Sequence, residues 1–145
     1  MTEIYHAALM ALAKAAHGHG RLAVRDATAT LDNPLCGDRV TIDVAIAGGR
    51  VDRIAQEVKG CALCQAAASA IGSAAPGQEI EHLRVMAAAL RAFLQGRAPL
   101  PEAAWSALAA FAPVALRKSR HDCVLLPFDA LLRAIDAALA QAAGA

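Results

Sequence analysis

The stretch VTIDVAIAGGRVDRIAQEV, residues 40–58, limits the fold more than any other part of the chain. Val40, Ile42, Val44 and Ile46 alternate with Thr41, Asp43 and Ala45, the period-two pattern of a strand with one face toward a core. Gly48 and Gly49 supply the two residues of a tight hairpin, and residues 50–58 return antiparallel. Upstream, DATATLD (26–32) is rich in threonine and stops at the turn formers Asn33 and Pro34. These segments predict a three-stranded antiparallel meander with one polar face.

The rest of the chain reads as helix. Residues 3–16 place Ile4, Leu9 and Leu12 on one side of an amphipathic helix that stops near Gly18 and Gly20. His17 and His19 fall in the flexible turn that follows and read as a solvated helix stop. After Gly60, CALCQAAASAIG forms a helix ending near Gly72, with Pro76 beyond. Residues 79–96 carry Ile80, Leu83, Ala87, Leu90 and Leu94 on one stripe, with Gly96 as the stop. Pro101 and Glu102 suit the first turn of another helix, bearing Trp105, Leu108 and Phe111 and broken by Pro113. A last helix is expected from about Cys123 to Ala140, through Phe128, Leu131, Leu132, Ile135 and Leu139. Strands first and helices afterwards predict an α+β fold, with helices packed on one face of a small sheet. The 145 residues suffice for one domain, 1–145, with one core. Much of the 57% hydrophobic content is alanine, so that core must rest on the larger aliphatic and aromatic side chains.

Charge argues against several function classes. Fourteen basic and thirteen acidic side chains leave a formal net charge of +1, no footprint for nucleic acid or an anionic membrane. No segment reads as transmembrane. Glu3 stands where a signal peptide would carry a basic residue, so the reading is a docking helix and a cytoplasmic protein. A nucleophile elbow, a P-loop and a dinucleotide fingerprint are all missing, which argues against a conventional hydrolase.

In a reducing cytosol, four cysteines point to metal binding or catalysis rather than disulfides. Cys36 lies between two predicted strands, Cys61 at a strand-to-helix junction and Cys123 near the start of the last helix. They are 25 and 62 residues apart, too far for a local zinc knuckle, but three loop ends can converge at one sheet edge. Helix N-termini favour thiolates, the metal-binding form. Three sulfurs select zinc, iron or an iron–sulfur cluster over hard cations. Gly37 permits a bend that turns Asp38 toward the same point. As a ligand, Asp38 is harder and less donating than sulfur and leaves bound cargo easier to release. Taken alone, CGD also reads as a plain turn with a solvated Asp38.

NPLCGD at 33–38, GCALCQAAAS at 60–69 and SRHDCVLL at 119–126 resemble the U-type iron–sulfur scaffold proteins, the IscU, SufU and NifU N-terminal domain family. The resemblance runs from about residue 4 to 140 and implies the SufE/IscU-like fold. It makes Cys36, Cys61 and Cys123 the ligands of a transient [2Fe–2S] cluster or of Zn²⁺. Asp38 is implied as a zinc ligand in SufU-like members and a determinant of cluster lability in IscU-like ones. The insertion at 77–100 and Arg120, which matches a basic position of SufU-like members, lean toward SufU. The implied partners are a cysteine desulfurase and iron–sulfur acceptor proteins.

Some positions depart from the family. IscU-like members carry histidine just before the third cysteine; here Asp122 stands there and His121 is one residue back, an auxiliary ligand only if the loop bends. APVALRKS replaces the motif that binds the dedicated Hsp70 chaperone, which argues against that partner. Gln56 and Val58 replace an aromatic residue and a glycine before the second cysteine. Cys64 stands where relatives carry serine. It reads as a fourth ligand displacing Asp38, as a disulfide partner of Cys61, or as a small buried hydrophobe beneath the site.

Two roles follow from the resemblance. A scaffold would assemble a labile cluster and hand it on without itself being an enzyme. A zinc-dependent sulfurtransferase would accept persulfide sulfur from the desulfurase, with Cys123 as the candidate acceptor. A third class is an interaction module with a purely structural zinc, or a metal-free relative.

Overall fold

The computed structural model of the chain describes residues 4–143. Three strands, β1 (Ala27–Asn33), β2 (Asp38–Ala47) and β3 (Arg50–Lys59), form an antiparallel sheet in the order β1-β2-β3. Leu31 lies opposite Val40 and Val44 opposite Ile54, so the apolar sets of neighbouring strands share one face. Gly48 and Gly49 have φ of +58° and +74°, the paired positive values that a two-residue hairpin turn requires. β2 begins two residues earlier than the alternation suggested, which makes Asp38 its first residue.

The helices are α1 (Ala7–Ala15), α2 (Ala62–Ala74), α3 (Ile80–Leu94) and α4 (His121–Ala143). α2 and α4 pack on the sheet, α1 lies on α2, and α3 lies against α4. This is the expected α+β arrangement. The expected first residue of the N-terminal helix lies outside the described residues. Val40, Ile42 and Val44 meet Leu63, Ile71, Phe128, Leu131 and Ile135 in one core, all fully or almost fully buried. The long run of small residues in α2 lets it sit close to its neighbours. At Gly72 any side chain would collide with the His17 carbonyl, so α1's exit and α2 touch backbone to backbone.

α3 shows the expected stripe: Ile80, Leu83, Ala87, Leu90 and Leu94 are buried. Gly96, at φ +73°, ends it as predicted, with the N–H of Gly96 donating to Phe93 and that of Arg97 to Ala92. The following segment departs from expectation. Residues 101–105 are not helical, and Ser106–Leu116 is a 3-10 helix that continues through Pro113. Its buried residues, Leu108, Phe111 and Val114, recur every third position, the period of a 3-10 turn. α4 starts two residues earlier than expected and runs through Pro127, and near its end Ala138 faces the core in place of Leu139.

The turn at His17 and His19 is not loose. Both side chains are exposed, yet the His17 N–H donates to Ser69 Oγ at 3.0 Å and Gln56 Nε2 donates to the His17 carbonyl at 2.9 Å. Gln56 also exchanges backbone hydrogen bonds with Gly18 and Gly20, which caps the free edge of β3. The chain then crosses the outer sheet face toward β1. There Arg21 donates to both Asp43 oxygens at 2.8 and 3.0 Å, and Leu22 N–H and Thr28 Oγ1 donate as well, at 3.0 and 2.6 Å. The predicted polar face is therefore covered at Asp43, which is fully buried. Burial alone would push its pKa up. The hydrogen bonds from Arg21, Thr28 and Leu22 outweigh burial and hold it below the ordinary value.

Candidate metal-binding site

Cys36 sits at an exposed turn between β1 and β2. The Asn33 side chain accepts the Leu35 N–H at 3.2 Å, and its carbonyl accepts the Cys36 and Gly37 N–H groups at 3.2 and 2.8 Å. Gly37, at φ +71°, reverses the chain into β2. Leu35 is 92% exposed, so the residue beside the thiol projects into solvent.

Asp38 is 1% exposed and points across the sheet edge to the start of α2. Its Oδ1 accepts the Cys61 N–H at 2.9 Å, and Cys61 Sγ lies 3.7 Å from Oδ2. Cys61 is the half-buried N-cap residue of α2 and makes no side-chain cap of its own. The carboxylate thus satisfies one of the unpaired N–H groups of that helix end. A side chain at Gly60 would run into the Asp38 carboxyl group. Gly60 is a site residue that sequence reading missed, since only the packed structure shows what fills its space.

Cys123, in the first turn of α4, is fully buried and donates its thiol to Cys36 Sγ at 3.3 Å. Cys36, Asp38 and Cys123 offer ligand atoms that all lie within 4.8 Å of one another. Cys61 joins them through Asp38 and faces Cys123 as well. Burial pushes the Cys123 thiol pKa up, and its hydrogen bond with Cys36 and the nearness of Cys61 add to the rise. Arg120 is half-buried beside Tyr5 and Cys123; the nearness of Tyr5 and a hydrogen bond to Cys123 hold its guanidinium firmly charged. Tyr5, one of the aromatic side chains expected in the core, is exposed and stands beside Arg120 instead.

The two remaining candidates stand differently. His121 Nε2 is 3.2 Å from the Ala115 carbonyl, and its ring lines a cavity of about 590 Å³ with Lys118, Asp122 and Leu125. The structure does not bring it into the cluster. Cys64 is fully buried in the hydrophobic core, one turn below Cys61. Burial pushes its thiol pKa far up, with smaller contributions from Asp38 and the other cysteines, which places it directly beneath the site. All four cysteines are free.

One soft-sided pocket of three sulfurs and one carboxylate suits a borderline or soft metal and disfavours Mg²⁺ or Ca²⁺. Three ligands, Cys36, Cys61 and Cys123, come from loop or helix ends and one, Asp38, from a strand end, so the exposed Cys36 turn can move without unfolding the core.

The model of the NifU-like N terminal domain matches residues 4–141. The chain is 27% identical over 135 residues to the iron–sulfur cluster assembly scaffold protein IscU of Streptococcus pyogenes, covering 93% of this chain and 84% of that protein. It is 30% identical over 117 residues to IscU 1 of Archaeoglobus fulgidus, covering 80% of this chain and 64% of that longer protein. A crystal structure of an N-terminal NifU-like protein from Brucella abortus superposes with a TM-score of 0.88 at 35% identity, covering 93% and 94% of the two chains. The SufU protein of Fervidobacterium islandicum shares the fold, with a TM-score of 0.84 at 24% identity over 90% and 96%. In sequence and in architecture, this chain belongs to the NifU-like N-terminal domain family.

Proposed function

We propose that this domain is an iron–sulfur cluster assembly scaffold. Cys36, Cys61 and Cys123 supply sulfur ligands to a [2Fe–2S] cargo, and Asp38 supplies an oxygen ligand. The observation that carries this reading is the mutual approach of Cys36, Asp38 and Cys123 within 4.8 Å, with Cys36 exposed and Cys123 buried. The buried members hold the cargo and the exposed one opens the site to a donor or an acceptor. The carboxylate weakens retention relative to a fourth thiolate, which suits a protein that must give its cargo away. The domain works as a carrier in a reducing, cytoplasmic setting, receiving sulfur from a cysteine desulfurase and passing the cluster to acceptor proteins. Anaerobic reconstitution with iron and sulfide tests this. Cluster absorbance is expected in the wild type and absent in the Cys36→Ser/Cys61→Ser/Cys123→Ser variant. Equal absorbance in both ends the proposal.

A second reading, a zinc-dependent sulfurtransferase, is favoured by Arg120 beside Cys123. The residues fit a resident Zn²⁺ through Cys36, Asp38, Cys61 and Cys123, three thiolates and a carboxylate. Zinc would hold those thiolates deprotonated at neutral pH. Cys123 is the candidate acceptor, and the exposed Cys36, 3.3 Å from it, is the thiol that a partner's persulfide meets first. Metal analysis of the purified protein followed by a desulfurase activation assay separates the readings: tight stoichiometric zinc without stimulation of the desulfurase excludes this one.

A further inference from the structure

Two of the four sulfurs are placed as a reactive pair. Cys36 Sγ and Cys123 Sγ lie 3.3 Å apart across 87 residues of chain. A disulfide needs a separation of about 2.05 Å, so closure asks for an approach of roughly an ångström. The side that must move is the favourable one. Residues 34–37 form an exposed turn around Gly37, whereas Cys123 is fixed in a buried helical turn.

We propose that Cys36 and Cys123 form a reversible intramolecular disulfide when the protein meets hydrogen peroxide, and that this bond closes the site to cargo. The closing effect rests on the scaffold reading; formation of the bond does not. The Cys36 thiolate attacks one peroxide oxygen, the O–O bond breaks, and Cys36 becomes a sulfenic acid with loss of hydroxide. The Cys123 thiol loses its proton to the first hydroxide as its sulfur attacks the sulfenic sulfur, the S–S bond forms, and the S–O bond breaks to release a second hydroxide. The two hydroxides take up the two thiol protons, so two thiols and one peroxide give one disulfide and two waters. An exposed thiol next to a buried resolving thiol is the arrangement that favours this order of events. A small dithiol reductant reverses it by exchange.

The competing pair is Cys61 with Cys64, the Cys-x-x-Cys of α2. Cys64 is fully buried in the core, and Cys61 is tied to Asp38. Neither is presented to an oxidant as Cys36 is. Closure of Cys36 onto Cys123 would also keep Cys36 from the irreversible sulfinic and sulfonic states.

The test uses the full chain, stripped of metal by a chelator and freed of reductant without oxygen, then exposed to a modest excess of hydrogen peroxide. Intact mass should fall by two hydrogens, and non-reducing digestion should link the Cys36 peptide to the Cys123 peptide. Cys36→Ser should abolish the cross-link and Cys64→Ala should retain it. A Cys61–Cys64 link, a disulfide between two molecules, or over-oxidised Cys36 without a cross-link overturns the proposal. The cross-linked protein should then take up no cluster on anaerobic reconstitution and regain uptake after dithiothreitol. Uptake by the cross-linked form equal to that of the reduced form overturns the closing effect. If even the reduced protein takes up no cluster, the scaffold reading fails while the mapped disulfide stands.

Discussion

The carboxylate of Asp38 accepts the backbone N–H of Cys61 at 2.9 Å, and this one buried side chain ties the first residue of β2 to the first turn of α2. Asp38 therefore does two things, holding the two ends of the site together and offering an oxygen to whatever the sulfurs bind. Asp38→Ala should lower stability by about 2 kcal/mol, the cost of leaving a buried donor unpaired. In urea unfolding this appears as a lower midpoint with an unchanged slope. Asp38→Cys, which puts a fourth thiolate in place of the carboxylate, should hold a reconstituted cluster longer against a chelator, since sulfur is the stronger donor. A cluster lost faster than from wild type would show that Asp38 retains cargo rather than easing its release.

Gly60 is required by Asp38 rather than by its own backbone. It is absent from the glycines with positive φ, yet an added methyl group would strike the Asp38 carboxyl group. Gly60→Ala should destabilise the domain by roughly 1–3 kcal/mol through overpacking. In the Asp38→Ala background the clash disappears, so the two substitutions together should cost less than their sum. A double-mutant cycle by denaturant unfolding measures that coupling, and strict additivity would show that the methyl group finds room elsewhere.

The strands and the glycine hairpin were legible because alternation and paired turn glycines are local codes that packing did not overrule. The convergence of Cys36, Asp38, Cys61 and Cys123 could be expected from loop positions, but which of them is buried could not. Burial of Cys123 and exposure of Cys36 depend on how α4 lies across the sheet. The 3-10 segment was hidden because Leu108 and Phe111 fit a helical stripe until Val114 is counted, and Pro113 read as a stop. Asp43 was placed on the polar face of the sheet, and nothing local tells that residues 21–22 return over it. His121 was read from its nearness to Cys123 in sequence, whereas the helical turn at the start of α4 sends its ring toward Ala115.

Asp43 gives the domain a defined acid response. Its folded pKa is depressed, so it stabilises the fold above the ordinary aspartate value, 3.8. That contribution is lost as pH falls from there through the lower folded value. Asp43→Ala should cost about 3 kcal/mol at neutral pH, because a buried, fully bonded charge is removed and the α1–β1 connection loses its anchor. The difference between variant and wild type should shrink as pH drops below the ordinary value. Thermal or urea unfolding across that range measures it. A difference that stays constant with pH would mean that Asp43 contributes through packing and not through its charge.

Cys64 separates a ligand from a core residue. It is fully buried beneath Cys61, and burial makes its ionisation costly. As a ligand it would have to release its proton and bind the metal as thiolate, and its removal would lower metal or cluster stoichiometry. As a core residue it only fills space. We expect Cys64→Ala to keep full stoichiometry and to lose about 1 kcal/mol through the small cavity left behind. Cys64→Ser should be the more damaging change if the hydroxyl finds no partner, by about 1–3 kcal/mol. Metal analysis on both variants, paired with urea unfolding, reads the two effects separately. Reduced stoichiometry in Cys64→Ala would make Cys64 a ligand and leave Asp38 with the structural role alone.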